Sequence, residues 1–141
     1  MDLKSRILEP TKKTPWIILE QGRVLIVGRS ISENPGDFYR PIYDWISKYV
    51  IDNERMTEIQ LGFEFINTAS IKWVYAILKE LSAIPDVIRR AKITWYYEEG
   101  DDDMCDLGFI LRSLISCPFQ IIEVDDINKQ TFVENPDLLS G

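Results

Sequence analysis

Two periodicities alternate along the chain. Trp16-Ile17-Ile18-Leu19-Glu20 and Val24-Leu25-Ile26-Val27-Gly28 are short apolar runs rich in β-branched residues, which predicts two strands. Gln21-Gly22-Arg23 between them is short enough to make an antiparallel hairpin. Ser32-Glu33-Asn34-Pro35-Gly36 is a turn cluster. Phe38, Ile42, Trp45, Ile46 and Tyr49 then recur at three and four, the spacing of an amphipathic helix. Pro41 lacks the N–H that a helix interior uses, so the regular helix is expected to start there, with Asp52 to Arg55 closing it.

From Thr57 to Ile66 the period drops to two. Ile59, Leu61, Phe63 and Phe65 alternate with Gln60, Gly62 and Glu64, a strand with one face on the core. The next helix, from about Ala69 to Ile84, places Ile71, Val74, Tyr75, Leu78 and Leu81 on its expected core face, and Pro85 ends it. Trp73, Ile77 and Ile84 form a second stripe away from that face. It either packs under another helix or presents a partner-binding surface beside the helix start. Ala91 to Tyr97 is a further strand. Met104, Leu107, Gly108, Leu111, Leu114 and Ile115 mark a third helix, and Pro118 to Val124 a last strand.

This order predicts an α/β fold: an N-terminal hairpin, then three β-α-β steps with right-handed crossovers, giving a five-stranded, mostly parallel mixed sheet with helices packed on it. Residues 1–15, with two prolines and little periodicity, are expected to be a flexible arm. Residues 16–124 form one domain, and 125–141 a polar tail with a short helix or a frayed end.

Composition narrows the function. A chain of 141 residues can bury a sizeable core without metal or disulfide staples. The net charge of −7 argues against nucleic-acid or anionic-membrane binding, so the expected partners are proteins. No signal-peptide pattern and no apolar run near ~18 residues is present, which predicts a cytoplasmic protein without membrane insertion. There is no histidine, which removes His-based triads, general bases and metal ligands. Cys105 and Cys117, twelve positions apart, read as buried free thiols rather than a metal or redox pair. Phosphate loops of the GxGxxG or GxxxxGK[ST] kind and the G-x-S-x-G elbow are missing, so no cofactor is expected.

The candidate chemistry lies where the strand ending at Ile66 passes into the following helix. A helix start carries free N–H groups and the positive end of a dipole, which favours a negative group. Here the junction holds Asn67, Thr68, Ser70 and, one turn on, Lys72, with no acidic residue. One reading is a plain cap, with Asn67 or Thr68 accepting from an early helix N–H. The other is a phosphate carried by Thr68, which gains from the same donors and alters a protein interface by charge, Lys72 being available to pair with it. Glu98 to Asp103 with Asp106 is a second acidic candidate. Its spacing is not that of an EF-hand, and it reads better as a solvated loop favouring a helix N-terminus than as a metal or hydrolase site.

Phe65-Ile66-Asn67-Thr68-Ala69-Ser70-Ile71-Lys72, followed by Ile93-Thr94-Trp95-Tyr96-Tyr97-Glu98 and the acidic loop, resembles the SiaC family of bacterial regulatory phosphoproteins. The likeness runs from the hairpin through Pro118-Phe119. It implies a fold like that of STAS domains, the anti-sigma-factor antagonists. By the same resemblance, the threonine after Asn, Thr68 here, is phosphorylated by a partner kinase (SiaB-like) and dephosphorylated by a PP2C-type phosphatase (SiaA-like). The unphosphorylated form is implied to bind and activate a diguanylate cyclase (SiaD-like), promoting cyclic-di-GMP synthesis and biofilm formation. Where many relatives have serine next, this chain has Ala69, leaving Ser70 as the neighbouring hydroxyl.

The function expected is therefore a non-enzymatic switch. Two alternatives stand beside it: an anti-sigma-factor antagonist in a sigma-factor partner switch, and a constitutive interaction scaffold whose binding does not depend on Thr68.

Overall fold

The structure, a computed structural model, describes residues 3–52 and 55–135. Its centre is a single sheet in the order β1 (Arg6–Leu8), β2 (Trp16–Glu20), β3 (Arg23–Ser30), β4 (Thr57–Ile66), β5 (Ala91–Glu98) and β6 (Phe119–Val124). β1 pairs antiparallel with β2 and β2 with β3, whereas β3 to β6 are mutually parallel, so only β2 runs against the rest. The hairpin register, Glu20 opposite Arg23, closes through Gly22, whose φ of +89° an L side chain rarely adopts.

Unbroken apolar runs make sense in a sheet covered on both faces. Ile17, Leu19, Val24, Ile26, Ile59, Leu61 and Phe63 point into the larger core, beneath α1 (Pro35–Asp52), α2 (Thr68–Leu81) and α4 (Asp102–Leu114). The alternate residues Trp16, Ile18, Leu25 and Val27 point to the other face, where Ile127 and Phe132 of the segment around α5 (Lys129–Glu134) cover them. Lys129 forms an ion pair with Glu9 and lies over the Trp16 ring, fastening this segment to β2 and the residues after β1. Among the described residues no helix is long and apolar enough to cross a membrane.

The architecture is the expected mixed α/β sheet, with corrections. The sheet has six strands rather than five. The extra strand, β1, lies within the segment expected to be a flexible arm, and three residues with a mixed burial pattern carry too little periodicity to be seen from sequence. α1 starts at Pro35 rather than at Pro41. Pro35 fits a first helical position, where a missing N–H costs nothing, and Pro41 is tolerated inside because Tyr39, Ile42, Trp45 and Ile46 hold the helix on the sheet. Tyr39 and Tyr49 add buried anchors: the Tyr39 hydroxyl shares a 2.6 Å hydrogen bond with Ser30, and that of Tyr49 a 2.7 Å bond with Thr57. A four-residue helix, α3 (Val87–Arg90), also precedes β5 unannounced. Asn53 and Glu54, expected to help close α1, lie outside the described residues, as do residues 1–2 of the arm and 136–141 of the tail.

α2 is rotated from its expected setting. Ile77 is fully buried and Ile84 nearly so, alongside Val74, Leu78 and Leu81. Ile77 therefore does not belong to an exposed partner surface. α1 lies against this flank of α2, and the stripe read as a surface is the seam between the two helices.

Candidate functional site

β4 carries its chain to the carboxyl edge of the sheet, and the turn into α2 is immediate: the strand ends at Ile66 and the helix begins at Thr68. Asn67 sits between them in an extended conformation (φ −88°, ψ 165°) as the N-cap. Its Oδ1 accepts from the Ser70 amide at 2.9 Å, and its carbonyl accepts from the Ile71 amide at 3.0 Å. Its other contacts reach across the chain. The Asn67 amide donates to the Ser30 carbonyl at 2.9 Å, and Nδ2 donates to the Ser32 carbonyl at 2.9 Å. The cap thus also ties the start of α2 to the chain leaving β3.

With Ser70 and Ile71 served by Asn67, the amides of Thr68 and Ala69 are the first-turn donors that have no carbonyl a turn earlier. α2 has no acidic residue in its first turn, so no residue of the helix itself offsets the positive end of its dipole. Thr68 is exposed at the first helical position, whereas Ser70 is fully buried, with its Oγ finding no hydrogen-bond partner among the described residues. Sequence placed two hydroxyls at the junction; burial leaves only Thr68 within reach of another protein. Lys72, one turn along from Thr68, is also exposed.

Trp73 is half-buried on the α1 flank. Its ring lies edge-on to Tyr43 at 6.5 Å and under the Arg40 guanidinium at 5.3 Å, and its Cζ2 would stand 3.4 Å from a Cβ built on Gly36. The Tyr43 hydroxyl donates to Glu80 Oε2 at 3.1 Å, and this carboxylate raises the Tyr43 phenol above its ordinary pKa. Trp73 therefore joins α2 to α1, while Ile77 belongs to the buried core.

Across the edge of the sheet, the β5–α4 turn repeats the arrangement with different chemistry. Asp101 caps α4 by accepting from the Met104 amide at 3.1 Å, and Asp102 and Asp103 fill the first turn. Between the two helix starts lies an open hollow of about 310 Å³, lined by Phe65, Ile66, Asn67, Asp101, Asp103 and Met104 among others. Phe65, 52% exposed, carries the Arg29 guanidinium 4.8 Å from its ring centroid. Sequence reasoning did not place Phe65 or Arg29 here, since strand alternation sends Phe65 to the core. A register shift between Gly28 and Arg29 turns the end of β4 out of that alternation. Asp101 was legible as an acid before a helix; the Ser32 carbonyl, 35 residues from Asn67, had no sequence signal. Among the described residues no group of three acidic or cysteine side chains converges as a metal site.

Comparison with known proteins bears on the family and the fold. The model of the SiaC family of regulatory phosphoproteins matches residues 8–124. An uncharacterised protein of Pseudomonas aeruginosa (strain UCBPP-PA14) is 29% identical over 118 residues, covering 82% of this chain and 94% of the relative. The crystal structure of apo-SiaC from Pseudomonas aeruginosa superposes with a TM-score of 0.76 at 27% identity, over 84% of this chain and 98% of that one. SiaC in the crystal structure of the diguanylate cyclase SiaD in complex with its activator, also from Pseudomonas aeruginosa, gives 0.77 at 27% identity, over 84% and 99%. With the family model spanning most of the chain and the solved relatives sharing its fold, this protein belongs to the SiaC family of regulatory phosphoproteins.

Proposed function

We propose that this protein is a non-enzymatic cytoplasmic switch whose state is set by reversible phosphorylation of Thr68. A partner kinase adds the phosphate and a PP2C-type phosphatase removes it. The unphosphorylated form binds and activates a diguanylate cyclase, and so controls cyclic-di-GMP signalling and biofilm formation. The observation that carries the reading is the separation of the two hydroxyls: Thr68 stands exposed at a helix start with no acid in its first turn, and Ser70 is sealed beneath it. Family membership supports a phosphoprotein, and the Pseudomonas aeruginosa relative supports the cyclase, because that relative is the activator of one.

Physically, a phosphate on Thr68 adds nearly two negative charges beside free helix amides and opposite the acids of α4. The amides and Lys72 stabilise it in place, so the fold tolerates the modification. A partner seated over the junction has to desolvate the dianion, and is displaced. Phosphorylation acts on the interface rather than on the core.

Incubation with the cognate kinase followed by intact-mass measurement tests the site: wild type gains one phosphate and Thr68→Ala gains none. Equal incorporation in both proteins would sink the assignment. In a cyclase assay, unphosphorylated wild type and Thr68→Ala both raise the rate of cyclic-di-GMP formation, and the phosphorylated protein does not. If Thr68→Glu and Thr68→Ala bind the partner no differently from phosphorylated wild type, the protein is a constitutive scaffold instead.

A further inference from the structure

The sheet has two edges, and only one is guarded. β1 is three residues long, with Lys4 and Arg6 at its start and Pro10 just past its end, features that discourage pairing with another chain. β6, at the other edge, has none of them. It runs six residues with no Lys, Arg or Pro inside it, and it keeps a regular register with β5 at every position. Phe119, Ile121, Ile122 and Val124 make it apolar, and each is only partly buried.

Its backbone groups alternate in direction. The Ile93 amide donates to the Pro118 carbonyl at 2.8 Å and the Glu99 amide to the Val124 carbonyl at 2.9 Å, so the even-numbered residues of β6 turn toward β5. Phe119, Ile121 and Glu123 turn their amides and carbonyls outward, where no backbone partner meets them among the described residues. These three positions are symmetric about Ile121. Their side chains point to the helix-covered face, because Ile121 lies beside Trp95, on which Gly108 of α4 sits.

α4 supplies charge along this edge. At its start Cys105 lies against the Tyr97 hydroxyl, and Glu123 is the strand neighbour of Tyr97. Arg112 is exposed on the same flank, seven residues or ~10 Å further down the helix, level with the start of β6.

We infer that β6 is a dimer edge, pairing antiparallel with β6 of a second copy of this chain about a two-fold axis at Ile121. That register sets Ile121 against its counterpart and Phe119 against Glu123 of the other copy. Every outward amide and carbonyl is then hydrogen-bonded, about six bonds in all. A register centred on Ile122 would leave them unpaired. The charges agree as well, since Glu123 of each copy arrives beside Arg112 of the other while the two Glu123 stay ~13 Å apart. A two-fold contact must be self-complementary, and this strand is. Antiparallel pairing sends the carboxyl ends of the two sets of strands in opposite directions, so the two Thr68 lie far from the join. The contact therefore goes beyond the proposed switch and does not depend on it.

The test uses the full, unphosphorylated chain in sedimentation equilibrium across a wide range of concentration. Wild type should distribute between monomer and dimer. Ile121→Pro removes an outward amide and spares the ladder to β5, so it should raise the dimer dissociation constant about tenfold or more. Arg112→Glu should raise it several-fold, and Arg112→Glu combined with Glu123→Lys should return it to within about twofold of wild type. Ile51→Asp, at an exposed site on α1, should leave it unchanged. Thermal unfolding checks the fold of each variant. Hydrogen exchange of wild type adds a reading that needs no variant: the amides of Phe119, Ile121 and Glu123 should slow as concentration rises, and those of Gln120, Ile122 and Val124 should not. A wild type that stays monomeric overturns the inference. So does a dimer that folded Ile121→Pro forms as readily as wild type, or, where that variant does not fold, a dimer in which the three outward amides exchange as fast as in the monomer. Protection of these amides only on adding another protein assigns the edge to a different chain and overturns it too.

Discussion

Two strand-to-helix turns stand side by side at the carboxyl edge of this sheet, and they are built alike up to one difference. In both, a side-chain oxygen at the cap accepts from the amide three residues on, Asn67 from Ser70 and Asp101 from Met104. In both, the helix aims its positive end outward. α4 answers that field with three fixed carboxylates, Asp101, Asp102 and Asp103. α2 answers it with a neutral amide cap and an exposed threonine. A fixed charge offsets the dipole at all times, whereas the phosphate proposed for Thr68 would offset it only while attached. That difference in charge is what the proposed switch at Thr68 would use.

The comparison can be broken at α4 first. A Cβ on Gly108 would lie 2.5 Å from Trp95 Cδ1, and Trp95 also donates from Nε1 to the Met104 carbonyl at 2.9 Å. Gly108→Ala should therefore lift α4 from its seat and cost about 1–3 kcal/mol, read as a lowered midpoint in urea. The caps come next. Asn67→Ala loses the cap to Ser70 and the bond to the Ser32 carbonyl, together about 2 kcal/mol. Asp101→Ala loses a cap alone, about 1 kcal/mol. Equal losses would show that the tie from Asn67 to Ser32 contributes nothing.

A smaller effect should sharpen the contrast in charge. Ala69→Asp supplies α2 with the acid that α4 already has, and should raise stability by about 0.5 kcal/mol at low ionic strength, fading as salt is added. The smallest is a pH effect outside both junctions. Burial raises the Tyr39 and Tyr96 phenols and pushes the Cys117 thiol up to about 11. Groups with raised folded-state pKa values contribute fully below their unfolded values and lose that contribution as pH climbs through the folded ones. Thermal midpoints should thus be insensitive to these groups near neutrality and decline above about pH 9.

Much of this was legible in the residues. The alternation through Ile59, Leu61 and Phe63 identified β4. The break at Asn67-Thr68 marked the helix start. What was not legible came from neighbours. The rotation of α2 could not be read because its two apolar stripes, one through Ile71 and Tyr75 and one through Trp73 and Ile77, were nearly equal in sequence. Only the presence of α1 decided which was buried. Phe65 escaped the strand pattern through a register shift set by pairing with β3.

Local sequence by itself determined the order of β2 to β6 with α1, α2 and α4 between them, the neutral start of α2 and the acidic start of α4, because periodicity, capping and helix dipoles act within a few residues. The tertiary structure alone decided which hydroxyl is reachable and which flank of α2 is open. Both depend on what packs against the helix from elsewhere in the chain: the core beneath Ser70, α1 against Trp73, and α4 held away from Ile71.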